Sequence, residues 1–154
     1  MKKIIIGSDH GGYQLKEEMK NFLLSKSFFV SDFGIYKEEP VDYPDIAQLV
    51  AEAVAKENNS VGIIVDGAGI GSSIVANKVK GIRAAVCNDI YSARNSREHN
   101  DANILTLGGK IIGPGLMQEI VTVWLNTSFG GDRHNRRIDK IVNLENKYLK
   151  DVHR

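Results

Sequence analysis

The segment Val65-Asp66-Gly67-Ala68-Gly69-Ile70-Gly71-Ser72 sets a carboxylate at the head of a loop with three glycines in five positions. Loops of this composition present bare backbone N–H groups that gather round an anion. A carboxylate there repels an incoming phosphate, so Asp66 either faces away from the loop or takes part in chemistry. The chemistry it suits is proton abstraction, because a base beside N–H groups that polarise a carbonyl oxygen can take a proton from the adjacent carbon. Other reactive residues fall in three short stretches: Asp9 and His10 in SDHGG, His99 and Asn100 in REHNDAN, and the basic run Arg133, His134, Arg136 and Arg137. An arginine fork matches phosphate geometry. Together the set fits proton transfer on a small phosphorylated substrate.

Competing chemistries match less well. Gly7, Gly11 and Gly12 follow a strand-like run, and Asp32 lies twenty residues beyond Gly12, where a ribose-binding acid would fall. The spacing is not that of a dinucleotide loop, however, and Asp9 would oppose a pyrophosphate at the helix start. No phosphate-binding GxxxxGK[ST] loop occurs. His10, His99, His134 and His153 have no spacing that suits a metal, so none is expected, and His153 near the terminus is set aside.

These residues need a frame. KKIIIG (2–7), FFVSDFG (28–34), VGIIVD (61–66), RAAVC (83–87) and NILTLGG (103–109) are short and apolar, as strands covered on both faces should be. Leu15, Met19, Phe22 and Leu23 recur at helical spacing, as do Ile46, Leu49, Val50, Ala53 and Val54, the latter behind Asp42 as cap and Pro44 in the first turn. Leu116, Ile120, Val123 and Trp124 mark a helix after GPG, and residues 136–149 a last, more charged one. Alternation of strand and helix predicts an α/β fold with an open parallel sheet, helices on both faces and right-handed crossovers. In such sheets the ligand sits beyond the carboxyl ends of the strands, and SDHGG (8–12), DGAGIGSS (66–73) and REHNDAN (97–103) are read as the segments there.

The 154 residues suit a single domain spanning 1–154. Twenty basic against nineteen acidic residues leave no overall field to favour nucleic acid or an anionic membrane, and neither partner is expected. The single Cys87 cannot form an internal disulfide and reads as a small buried hydrophobe in a reducing, cytoplasmic compartment. MKKIIIGSDH has too few apolar residues for a signal-peptide core, and no membrane span is expected.

GSDHGGYQLK, VDYPD, GAGIGSSIVANKVKGIRAAVC, SREHNDANILTLGGKIIG and FGGDRHNRRIDKI, in register along nearly the whole chain, resemble the ribose-5-phosphate isomerase B family, which includes the galactose-6-phosphate isomerase subunits. The resemblance implies a Rossmann-like, three-layer α/β/α sandwich with a five-stranded parallel sheet. It implies a homodimer or dimer of dimers with active sites shared between subunits, and no metal or cofactor. The reaction implied interconverts an aldose phosphate and its ketose through a cis-enediolate. By the same resemblance His99 helps open the sugar ring, with Asn100 beside it, and Asp9 and Tyr43 line the sugar. His10, Arg133 and Arg137 contact phosphate, His134 belongs to the same basic cluster, and Lys110 stands where some members have an arginine. Gly67, Ala68, Gly69, Gly71 and Ser72 form the turn whose N–H groups face the enediolate.

Three positions depart from the pattern. Asp66 stands where many members carry a catalytic cysteine, Ala68 replaces a hydroxyl residue, and Asp132 replaces the second glycine of the usual GGRH. An aspartate is a weaker base than a thiolate by roughly 4–5 units of reference pKa, on the order of 6 kcal/mol of proton affinity. It needs no activation at neutral pH, and carboxylates perform this abstraction in triosephosphate isomerase and ketosteroid isomerase. Asp66 is therefore expected to be the general base of an aldose–ketose isomerase, with ribose 5-phosphate and ribulose 5-phosphate the leading pair. The alternatives are a hexose phosphate substrate, or a sugar-phosphate-binding partner subunit that has lost catalysis. Structural roles compete at single positions: Asp9 and Asp42 as helix caps, His10 and His99 as satisfied histidines, Arg136 as a solvated helix residue.

Overall fold

Ile4, Ile5 and Ile6 in a row leave no side of a strand for water, and all three are fully buried in β1 (Lys3–Ser8). In this computed structural model, which describes residues 1–152 and so leaves His153 outside the described residues, four further strands pair with β1 in one parallel sheet. They are β2 (Phe29–Asp32), β3 (Ser60–Asp66), β4 (Ala84–Val86) and β5 (Ile104–Gly108), in the order β2-β1-β3-β5-β4. The α/β class and the five parallel strands are as the sequence predicts. Strand ends differ from the sequence reading by at most two residues, and the second strand, which loses three residues in all, is the most shortened.

Side-chain alternation divides the core into two layers. Ile4 and Ile6 of β1, Ile63 and Val65 of β3, and Leu105 and Leu107 of β5 meet α1 (Tyr13–Ser25) and α5 (Pro114–Asn126) through Leu15, Met19, Leu23, Met117, Ile120 and Trp124. Ile5, Ile64 and Ile104 face the other way, onto Ala47, Val50, Ala51 and Val54 of α2 (Tyr43–Lys56) and Ala76 of α3 (Ile70–Ala76). Each fully buried isoleucine or leucine contributes about 1.5–3 kcal/mol, and this two-sided burial holds the sheet. Helix α4 (Ile90–Glu98) joins the first layer through Ala93. Neither α3 nor α4 carries an apolar stripe that the sequence pattern could pick out; α4 is rich in serine, asparagine and arginine.

Helix α6 (Arg133–Tyr148) begins three residues earlier than the pattern of 136–149 suggests, so Arg133 and His134 lie in its first turn. It belongs to neither core layer. Only His134 is buried, while Ile141, Leu144 and Tyr148 on its apolar face are 39%, 64% and 69% exposed. A groove of about 660 Å³ runs between this face and the β4 edge, lined by Asn77, Ile82 and Ala84. No helix among the described residues is long and apolar enough to cross a membrane.

The connection from β2 to α2, residues 33–42, crosses the carboxyl edge of the sheet as a strap. Its anchor is Lys16 of α1, which is fully buried and places its ammonium 2.9 Å from both Asp32 carboxylate oxygens and 2.6 Å from the Ile35 carbonyl. Asp32 also takes Lys20 at 2.8 Å. Burial alone would raise the Asp32 carboxyl, but hydrogen bonds from Lys20, the Gly34 N–H and Lys16 outweigh it and hold it below the usual range.

Candidate functional site

Parallel strands deliver their C-terminal residues to one edge, and the loops there collect ten of the candidate residues: Asp9, His10, Tyr43, Asp66, Gly67, Ala68, Gly69, Gly71, Ser72 and Lys110. The β1–β3 register ends with Ser8 beside Val65, so Asp9 and Asp66 follow side by side. Lys110 joins them because its N–H bonds the Gly67 carbonyl at 3.0 Å. The ring of Tyr43 lies so close to Gly71 that a Cβ there would fall 2.5 Å from it. His10 is exposed, and its Nδ1 accepts the Val41 N–H at 3.3 Å, which leaves Nε2 as the ring's donor. Thus the strap sets the orientation of a site histidine.

Asp66 differs from expectation. Its carboxylate does not stand free beside the glycine loop but fills it. One oxygen accepts the N–H groups of Ala68, at 3.1 Å, and of Gly69; the other accepts Ser72 N at 2.9 Å and Ser72 Oγ at 2.6 Å. The side chain is 4% exposed. The loop turns about Gly69, whose φ of +82° suits glycine, and its Ala68, Gly69 and Ser72 N–H groups therefore point at Asp66 rather than at an enediolate. The cause is spacing: donors two, three and six residues after a strand-terminal aspartate fall within reach of its own short side chain. Asn88 and Thr106 brace the loop from outside, through Asn88 Nδ2 to the Ala68 carbonyl at 3.2 Å and Thr106 Oγ1 to the Gly69 carbonyl at 2.7 Å. Both escaped the sequence reading, as a polar residue in a turn (Asn88) or in an apolar strand (Thr106) carries no signal of what it holds.

Asp9 is also buried, at 9% exposure, and caps the 3-10 turn His10–Gly12 by accepting the Gly12 N–H at 3.0 Å. Burial raises its carboxyl, the nearby Asp66 charge raises it further, and the Gly12 and Gly11 N–H groups and His10 pull it down; the net shift is upward. Asp42 does occupy the cap position of α2, but its side chain makes no capping bond.

The remaining candidates lie elsewhere. REHNDAN does not follow a strand: residues 97–103 end α4 and lead into β5, at the amino edge of the sheet. Beside them, α6 supplies Arg133, His134 and Arg137. The His99 and His134 rings stack at 4.2 Å, and Asn95 Nδ2 meets His99 Nδ1 at 3.0 Å. Arg83 pins the turn through the Asn100 carbonyl at 2.9 Å, and Arg97 through Asp101 at 3.2 Å. His134 is 7% exposed, and its Nδ1 has no partner among the described residues. Burial, followed by the charges of His99, Arg133 and Arg137, lowers its pKa. Arg136 is exposed, as a solvated helix residue would be.

A single chain therefore carries two separate clusters of candidate residues. Between Gly62, opposite Ile104, and Asp66, opposite Gly108, the strands advance four residues, roughly 13 Å at about 3.3 Å each. One holds buried carboxylates, a histidine and a lysine; the other holds arginines and paired imidazoles. The first suits proton transfer at carbon and the second suits an anion. The sheet stands between them.

Comparison with known proteins bears on this arrangement. The family model described as Ribose/Galactose Isomerase matches residues 4–141. Ribose-5-phosphate isomerase B of Escherichia coli (strain K12) is 44% identical over 96% of this chain and 99% of its own length. Among solved structures, the Clostridium thermocellum ribose-5-phosphate isomerase B superposes with a TM-score of 0.93 at 54% identity, covering 95% of this chain and 99% of that one. The Mycoplasma genitalium enzyme with bound ribulose-5-phosphate has a TM-score of 0.91 at 39% identity, covering 94% and 97%.

Proposed function

The chain belongs to the ribose/galactose isomerase family, and on that premise we propose that it interconverts ribose 5-phosphate and ribulose 5-phosphate in a site completed by a second copy of itself. The observation that carries the second part is the division of the candidate residues between opposite edges of one sheet. A neighbouring copy can set its amino-edge half against the carboxyl-edge half of this one, so that Arg133, Arg137 and His134 meet the phosphate while His99 and Asn100 act at the ring oxygen. The open apolar face of α6 and the groove beneath it supply a surface for that copy. Proton transfer falls to a carboxylate at the ends of β1 and β3. The C2–H bond breaks, its electron pair forms C1=C2, and the carbonyl pair moves to O1; the proton then returns at C1 as the O2–H proton passes to O1 and C2 becomes the carbonyl. Atoms and electrons balance without a cofactor. The free thiol of Cys87 fits a reducing compartment such as the cytoplasm.

Incubation of the purified protein with ribose 5-phosphate in deuterated water should yield ribulose 5-phosphate and put deuterium into the recovered sugar. Shared sites have a sharper signature. Asp9→Asn and His99→Asn chains, each inactive alone, should recover roughly a quarter of full activity after mixing and subunit exchange, since half of the random dimers carry one intact site of two. No recovery among exchanged dimers would refute a shared site. The saturated Asp66 carboxylate favours a second reading, a sugar-phosphate-binding partner subunit. Binding of ribulose 5-phosphate with no turnover alone would select it.

A further inference from the structure

Two carboxylates end adjacent strands, and their surroundings differ. The register that pairs Ser8 with Val65 brings Asp9, the first residue after β1, next to Asp66, the last residue of β3. Every lone-pair direction of Asp66 is occupied by a donor of its own loop: Ala68 N, Gly69 N, Ser72 N and Ser72 Oγ. A substrate C–H can approach an oxygen of Asp66 only after one of these bonds breaks. Asp9 accepts one hydrogen bond at normal geometry, Gly12 N–H to Oδ1. It also borders the loop, since a Cβ on Gly11 would lie 3.4 Å from both Asp9 Oδ1 and Gly67 N.

Resting on the isomerase reading above, we infer that Asp9 is the base that moves hydrogen between C1 and C2, and that Asp66 is a positioning residue that holds the Gly67–Ser72 loop in shape. In the forward half-reaction the Asp9 carboxylate takes the C2 proton and becomes a carboxylic acid, while the C–H pair forms C1=C2. In the second half the acid returns that proton to C1. Burial favours this cycle, because a carboxyl raised toward the working pH is a better base than a solvated one. The substitution of sulfur by a carboxylate at position 66 then has a structural result: a rigid anion internal to the loop, which no thiol could bond in four directions.

Asp9→Asn keeps an oxygen for the Gly12 N–H, so the turn survives. With ribose 5-phosphate as probe and thermal melting as a check on folding, Asp9→Asn should lower kcat by about 10²–10⁴ with KM within about threefold. Deuterium incorporation should vanish with it. Asp9→Ala should regain at least about tenfold activity in added formate, which can enter the vacated space as a mobile base. Asp66→Asn should raise KM yet still exchange hydrogen. Exchange retained in Asp9→Asn, an Asp9→Ala enzyme blind to formate, or a folded, substrate-binding Asp66→Asn protein with no exchange would each overturn the assignment. Wild-type protein that turns over no sugar phosphate would instead remove the isomerase reading on which it rests.

Discussion

Replacing Asp32 by Asn changes one oxygen to an amide nitrogen and removes one charge beneath the strap. The strap carries Val41, whose N–H holds His10, and leads into Tyr43. The fully buried Lys16 ammonium then loses the counter-ion that sits 2.9 Å away, while the Ile35 carbonyl at 2.6 Å and Glu17 at 3.3 Å remain. Breaking a buried pair by removing one partner costs about 3–5 kcal/mol, and the two surviving contacts place this case near the lower end, at about 3 kcal/mol. Lys20 is a quarter exposed and adds little. Against a total stability of about 5–15 kcal/mol this is a large fraction. With a urea dependence of about 2 kcal/mol per molar, the unfolding midpoint should fall by about 1.5 M. Lys16→Met added to Asp32→Asn should recover at least half of the loss, because it removes the stranded charge. The sign with pH follows from the lowered carboxyl. Its contribution is complete above the unfolded value near 3.8 and is lost as pH falls through the folded one, so wild type and Asp32→Asn should converge in acid. A midpoint shift below about 0.5 M, or a double mutant no more stable than Asp32→Asn, would refute the reasoning.

Two further outcomes follow from single contacts. Burial pushes the Cys87 thiol up to about 11, with the Asp89 charge adding and a Ser96 hydrogen bond opposing; at pH 8 only about one molecule in a thousand then carries the thiolate, so iodoacetamide should label the native protein slowly and the urea-unfolded protein completely. Gly71→Ala places a methyl 2.5 Å from the Tyr43 ring and forces it aside, which should raise KM severalfold at nearly constant kcat and lower stability by about 1 kcal/mol in the same urea titration.

Much of the frame is legible from local pattern. Runs such as Ile4-Ile5-Ile6 and Ile63-Ile64-Val65 are short, β-branched and bounded by polar turns, which marks doubly covered strands, and the stripes on α1, α2 and α5 have one apolar side to place. α3 and α4 left no such trace. They are held by a few small residues such as Ala76 and Ala93 that enter the core layers, and by tertiary polar bonds such as Asn77 Nδ2 to the Ala84 carbonyl at 2.9 Å, which depend on what lies beside them. Residue types also picked out groups that gather: every candidate from Asp9 to Arg137 lies on one of two sheet edges.

The sequence by itself determined the fold class, the family and the inventory of reactive groups, because these depend on composition and on spacing along one strand, helix or turn. Tertiary structure decided which groups meet. REHNDAN reads as a loop at the reactive edge, yet α4 returns the chain across the sheet and leaves His99 on the opposite side from Asp9. Asp66 reads as a free base, yet the turn at Gly69 folds three N–H groups and a hydroxyl onto it. Direction across a sheet and occupancy of a lone pair are properties of three-dimensional neighbours, and linear spacing leaves both open.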